Sequence, residues 1–102
     1  MRASRQPSNL SRAVLALASL AILGAGCKPA PLPDATSPAA QLYVKRCGNC
    51  HVPYNPHEMT PSMWETQVMM MEVKMQSAGM PPLSPDEREA ILQYLKDNAG
   101  AQ

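Results

Sequence analysis

Five consecutive residues, Cys47-Gly48-Asn49-Cys50-His51, set two thiols and an imidazole at the spacing C-x-x-C-H. That spacing marks the attachment site of a c-type haem. On a helical turn, positions three and four apart share a face. Cys47 and Cys50 can then each form a thioether with a haem vinyl group, while His51 offers a ring nitrogen to the iron. Gly48 and Asn49 are small or polar enough to leave such a turn uncrowded. A bare C-x-x-C would suit a thioredoxin-like redox pair or half of a zinc site equally well. His51, and the lack of a second C-x-x-C in the 102 residues, tip the choice towards haem.

If His51 fills one axial position, the chemistry depends on the other. Methionine opposite histidine raises the reduction potential relative to two histidines, whereas an open position binds gases or peroxide. The chain has eight Met. Met1 belongs to the leader described below, Met59 and Met63 lie in or beside an early loop, and Met69 and Met70 fall off the apolar stripe of their helix. Met71, Met75 and Met80 remain as candidates, against the ordinary use of Met as flexible core filler. His57 lies six residues past His51, a span of about 20 Å when extended. Pro53 and Pro56 constrain that path, so His57 is expected on the surface.

The elements that must position these groups are announced by their caps. Ser37 followed by Pro38 is an N-cap with proline at the first helical position. The helix it opens runs through Tyr43 into the haem motif, and Tyr43 should pack near the haem or the last helix. A loop with Pro53 and Pro56 follows. Thr60-Pro61 opens a second helix to about Ser77, with Gly79 as its stop. On it Trp64, Val68, Met71 and Met75 form one apolar stripe, while Glu65, Gln67, Glu72 and Lys74 lie mostly off it. Ser84-Pro85-Asp86-Glu87 is a capping box that opens a last helix carrying Ile91, Leu92, Tyr94 and Leu95 and ending near Gly100. No stretch alternates like a strand. The expected fold is all-α, about three helices around one covalently bound haem. At roughly 60 residues such a domain has a marginal apolar core. With no Phe and one Trp, a bound haem would supply the missing apolar mass.

The chain opens with Arg2, Arg5 and Arg12, followed by an uncharged run over residues 13–26. As a helix that run reaches only about 21 Å, short of the roughly 30 Å hydrocarbon core of a bilayer. It therefore reads as a signal peptide over residues 1–26. Leu23-Gly24-Ala25-Gly26-Cys27 resembles the lipobox of bacterial lipoproteins, which implies a lipid on Cys27 as the new N-terminus. Three Cys in all are an odd number for an exported chain; haem takes Cys47 and Cys50, and lipid takes Cys27. Losing the leader removes three of nine basic residues and none of the eight acidic ones, turning the formal charge from +1 to −2. Nothing in that balance suggests nucleic-acid binding. Residues 27–38, rich in proline, are expected to be an extended tether of up to roughly 34 Å with little to bury. Residues 39–102 form the haem domain.

Two family resemblances bear on residues 39–100. Leu42-Tyr43, Cys47 to His51, Met80-Pro81 and Tyr94-Leu95 resemble class I cytochromes c, which implies Met80 as the distal ligand. Tyr54, Pro56, Trp64 and the run from Ile91 to Ala99 are similar to the C-terminal part of dihaem cytochromes c. There the distal ligand is a histidine at the end of the Trp-bearing helix, where this chain has Lys74 and Met75. On that likeness Met75 is the preferred ligand, Met80 the alternative and Met71 the third.

The function expected is that of a monohaem c-type cytochrome, an electron carrier and not an enzyme. It would pass single electrons between redox protein partners at the periplasmic side of a bacterial membrane, anchored through Cys27. Two other classes fit parts of the pattern. One is a haem-based sensor with a weakly held sixth site; the other is a Met-rich carrier of cuprous copper, an ion that thioether and thiolate ligands suit.

Overall fold

The computed structural model describes residues 26–101. The expected signal segment lies outside the described residues except for Gly26, and so do the lipobox positions before it. Three helices follow in order: α1 (Pro38–Cys47), α2 (Pro61–Ser77) and α3 (Pro85–Asp97), with a single 3-10 turn (Pro56–Glu58) between α1 and α2. No strand occurs among the described residues, so the domain has the all-α character expected of it. Among the described residues no helix is long and apolar enough to cross a membrane.

Each helix starts where its cap is written. Ser37, Thr60 and Ser84 accept hydrogen bonds from the backbone N–H groups of Ala40, Met63 and Glu87, each with proline at the start of the helix. Glu87 reaches back to the Ser84 N–H at 2.9 Å, completing the capping box. The 3-10 turn has a box of its own, with Asn55 and Glu58 in the two roles. At the end of α2, Gly79 takes φ +68°. The Gly79 N–H donates to Gln76 O at 3.0 Å and the Met80 N–H to Met75 O at 2.9 Å. This is the Schellman closure, and it turns the chain sharply at Met80.

Helix α3 packs against both α1 and α2. Ala40 and Tyr43 of α1, Trp64 and Val68 of α2, and Ile91, Tyr94 and Leu95 of α3 form the buried cluster. Burying such aliphatic and aromatic side chains stabilises by about 1.5–3 kcal/mol each. Tyr43 lies at the junction, its ring 5.9 Å from Tyr94 and 6.4 Å from Trp64. Three aromatic polar groups then pin the irregular segments to this core. Trp64 Nε1 donates to Pro56 O at 2.9 Å, Tyr43 OH to Tyr54 O at 3.0 Å, and Tyr94 OH to Pro33 O at 2.8 Å. The ion pairs Lys96 to Glu65 and Arg88 to Glu72 join α3 to α2 at the surface, where such pairs contribute about 0–1 kcal/mol.

Three boundaries differ from those expected. Helix α1 stops at Cys47, and residues 48–51 form a bend. The Gly48 N–H still donates to Val44 O at 2.9 Å, and a Cβ there would sit 2.5 Å from Val44 O and 3.3 Å from Pro53 Cγ, so glycine suits the point where the chain leaves the helix. Helix α3 ends at Asp97 and not near Gly100. Asn98 Nδ2 donates to Tyr94 O at 2.8 Å, and the Gly100 N–H pairs with Met59 O at 2.9 Å, turning the end of the domain back onto the 3-10 turn. Part of the proline-rich stretch also lies on the domain. Leu32 packs against the core, Asp34 (φ 45°) opens a turn to Ser37, and Pro31, Pro33 and Ala35 accept side-chain hydrogen bonds from Asn55, Tyr94 and Gln41. An extended tether spanning all of residues 27–38 is thus not what forms; its second half is docked.

Candidate haem site

The end of α1 carries Cys47 into the core, 9% exposed, while Cys50 and His51 on the following bend are exposed. Neither sulfur is paired in a disulfide. Burial pushes the Cys47 thiol up to about 11, only partly offset by the neighbouring Arg46 charge. A redox-active dithiol needs the opposite, a depressed thiol in an exposed electropositive setting. His51 Nδ1 lies 2.8 Å from Val52 O. A carbonyl only accepts, so Nδ1 is the donor, which in the neutral ring leaves the Nε2 lone pair for a metal. Such a backbone contact fixes tautomer and ring orientation in the way metal-ligating imidazoles require. The Tyr54 ring stands 5.1 Å from that of His51.

Two adjoining clefts meet at this corner and share Cys47, His51, Met71 and Met75. The inner one is continued by Tyr43, Tyr54, Trp64, Val68 and Leu95. The outer one is continued by Arg46, Asn49, Cys50, Lys74 and Met80. The donor set suits a flat apolar ring that bears acidic substituents: two thiols and an imidazole beside an apolar lining, with the Lys74 cation at the outer side. Tyr43 remains a protonated donor because burial raises its phenol, an effect only partly countered by its hydrogen bond to the Tyr54 backbone.

Among the methionines, Met75 is 5% exposed and lines both clefts. Met71 lines both and is half-buried; Met80 is also half-buried and lines only the outer one. Met69 and Met70, at 54% and 49% exposure, face away. His57 is exposed on the 3-10 turn and lines neither cleft. Met75 and Met80 are neighbours, since the Schellman closure bonds one backbone to the other. Arg46 was not singled out from the sequence. Its position immediately before Cys47, in the last turn of α1, was the available signal.

The family model described as dihaem cytochrome c matches residues 43–102, more than half of the chain. The chain belongs to the dihaem cytochrome c family. No curated protein and no solved structure matches it. As a dihaem cytochrome c relative it is a c-type cytochrome domain, with the haem-binding and electron-transfer role of that family, and the family implies covalently bound haem c. The match begins at Tyr43 and takes in the C-x-x-C-H bend, α2 and α3. The 102 residues of the chain hold one C-x-x-C-H where the family description speaks of two haems.

Proposed function

We propose that the protein is a monohaem c-type cytochrome, an electron carrier that passes single electrons between redox protein partners at the periplasmic side of a bacterial membrane. The observation that supports this reading is the convergence of Cys47, His51 and Met75 on one cleft at the junction of α1 and α2. Cys47 and Cys50 would hold the haem by thioethers, His51 would bind the iron through Nε2, and Met75 would take the distal position. When bound, the haem iron supplies the one-electron chemistry. The chain orients His51 through Val52 O, and Trp64, Val68 and Leu95 would give the group an apolar lining that excludes water. A His/Met pair sets a higher potential than two histidines would. A potentiometric titration of the matured protein should show a single one-electron wave, and the reduced form should bind carbon monoxide only slowly. Ready carbon monoxide binding would favour a sensor with an open sixth site, and a protein that holds cuprous copper without haem would favour the copper carrier.

The location rests on Cys27, which is exposed and follows the small residues Gly24, Ala25 and Gly26. With residues 1–26 removed as a signal peptide, lipidated Cys27 would lead into the docked segment and then the haem domain. Cys27→Ser is expected to move the protein from the membrane fraction to the soluble one, because stable anchoring takes two or more lipid chains. Mature protein with Cys27 intact but no acyl groups by mass spectrometry would overturn the anchor.

A further inference from the structure

Arg46 reaches from the last turn of α1 across the outer cleft to the loop 80–83. Its Nη2 donates to Pro81 O at 2.8 Å and to Pro82 O at 2.9 Å. Its Nε lies 3.5 Å from Glu87 Oε1, an ion-pair distance, and has no hydrogen-bond partner. The side chain is 14% exposed, so this guanidinium is committed to its partners and not to solvent. Proline has no N–H, so neither Pro81 nor Pro82 can donate a backbone bond that would fix the loop, and the bonds that hold it here are accepted by their carbonyls. Glu87 is tied in turn to the Ser84 N–H that caps α3. One side chain therefore links the end of α1, the loop and the start of α3.

We propose that Arg46 is the positioning residue that fixes the loop 80–83 as the outer wall of the haem cleft. The proposal rests on the haem reading above. Met80 is held from both sides, by its N–H on Met75 O at 2.9 Å and by Arg46 on the two residues that follow it. Met80 lines the same outer cleft as Cys50, Met71 and Met75. Held by the Arg46 latch, Met80 stays beside Met75 on the wall of the outer cleft, where it would hinder exogenous ligands from reaching a bound haem. Without the latch Met80, Pro81 and Pro82 keep the Schellman turn on one side and the packing of Leu83 against the core on the other. A lysine would keep the positive charge, but its single ammonium on a shorter reach cannot serve the two carbonyls and Glu87 together. Charge and position can therefore be separated.

The test compares wild type, Arg46→Met and Arg46→Lys as full-length matured proteins. Two quantities are read: hydrogen exchange of the Met80 amide and the rate of carbon monoxide binding to the ferrous form. Hydrogen bonds from a charged donor contribute enough that their loss should speed Met80 exchange roughly ten- to a hundred-fold. Carbon monoxide binding should rise in both variants, less in Arg46→Lys than in Arg46→Met. Unchanged Met80 exchange overturns the latch. Faster exchange with unchanged carbon monoxide binding overturns the loop as a distal wall. Wild-type behaviour of Arg46→Lys beside an altered Arg46→Met assigns the effect to charge and overturns positioning. If the wild type carries no haem c, the proposed function fails and the exchange measurement still decides the latch.

Discussion

Replacing Cys47 and Cys50 together by serine is expected to give a chain without covalently held haem and without a cooperative thermal transition. The reason lies in how little core the helices share. Ala40, Tyr43, Trp64, Val68, Ile91, Tyr94 and Leu95 carry the burial, and a domain of this size is marginal without a cofactor or covalent staple. The inner cleft is lined by Tyr43, Trp64, Val68 and Met75, apolar groups against which a ring held by Cys47 and Cys50 would add contact. Serine at position 47 also adds a buried hydroxyl, costing about 1–3 kcal/mol if unpaired. The double alanine variant removes the thiols without that burden and should behave the same way. Circular dichroism and calorimetry report the outcome. Retained helicity and an unchanged transition in the alanine variant would refute the cofactor as part of the core.

Met75→Leu is expected to abolish the weak sulfur-to-iron band near the red end of the oxidised spectrum, lower the potential and open the iron to carbon monoxide. Met75 is the most buried of the three candidates and borders both halves of the cleft. Leucine keeps its apolar volume at a core position and typically costs less than about 1.5 kcal/mol, so a lost band reports lost ligation and not unfolding. Met80→Leu should leave band and potential nearly unchanged, because leucine still fills the wall that Arg46 holds in place. Loss of the band in Met80→Leu alone would make Met80 the ligand, as the likeness to class I cytochromes c implies; retention in both would turn attention to Met71.

What the sequence made legible was local. Each of Ser37-Pro38, Thr60-Pro61 and Ser84-Pro85 writes a cap and a first helical residue side by side, and all three helices start there. The stripe of Trp64, Val68 and Met75 is buried, and Met71 beside it is half-buried, because helical periodicity sets those positions on one face. The dihaem cytochrome c likeness seen in Tyr54, Trp64 and the run from Ile91 to Ala99 falls within the matched residues. What stayed hidden depends on contacts between distant residues. Tyr94 OH reaches Pro33 O across 61 positions, and Arg46 reaches Pro81 across 35; neither leaves a periodic trace. The packing of Pro53 against Gly48 at the end of α1 is likewise something that spacing within C-x-x-C-H cannot reveal. Met75 and Met80 looked like rivals in separate elements until the turn at Gly79 made them neighbours.

The most direct test of one haem c held by Cys47, Cys50 and His51 is a pyridine haemochrome spectrum, with quantified protein, of the chain matured where haem is attached. It should be taken before and after acid acetone extraction. The account predicts a c-type haemochrome at one haem per chain that stays with the protein through extraction. Haem that leaves with the acetone, or a protein that matures with none, would contradict it.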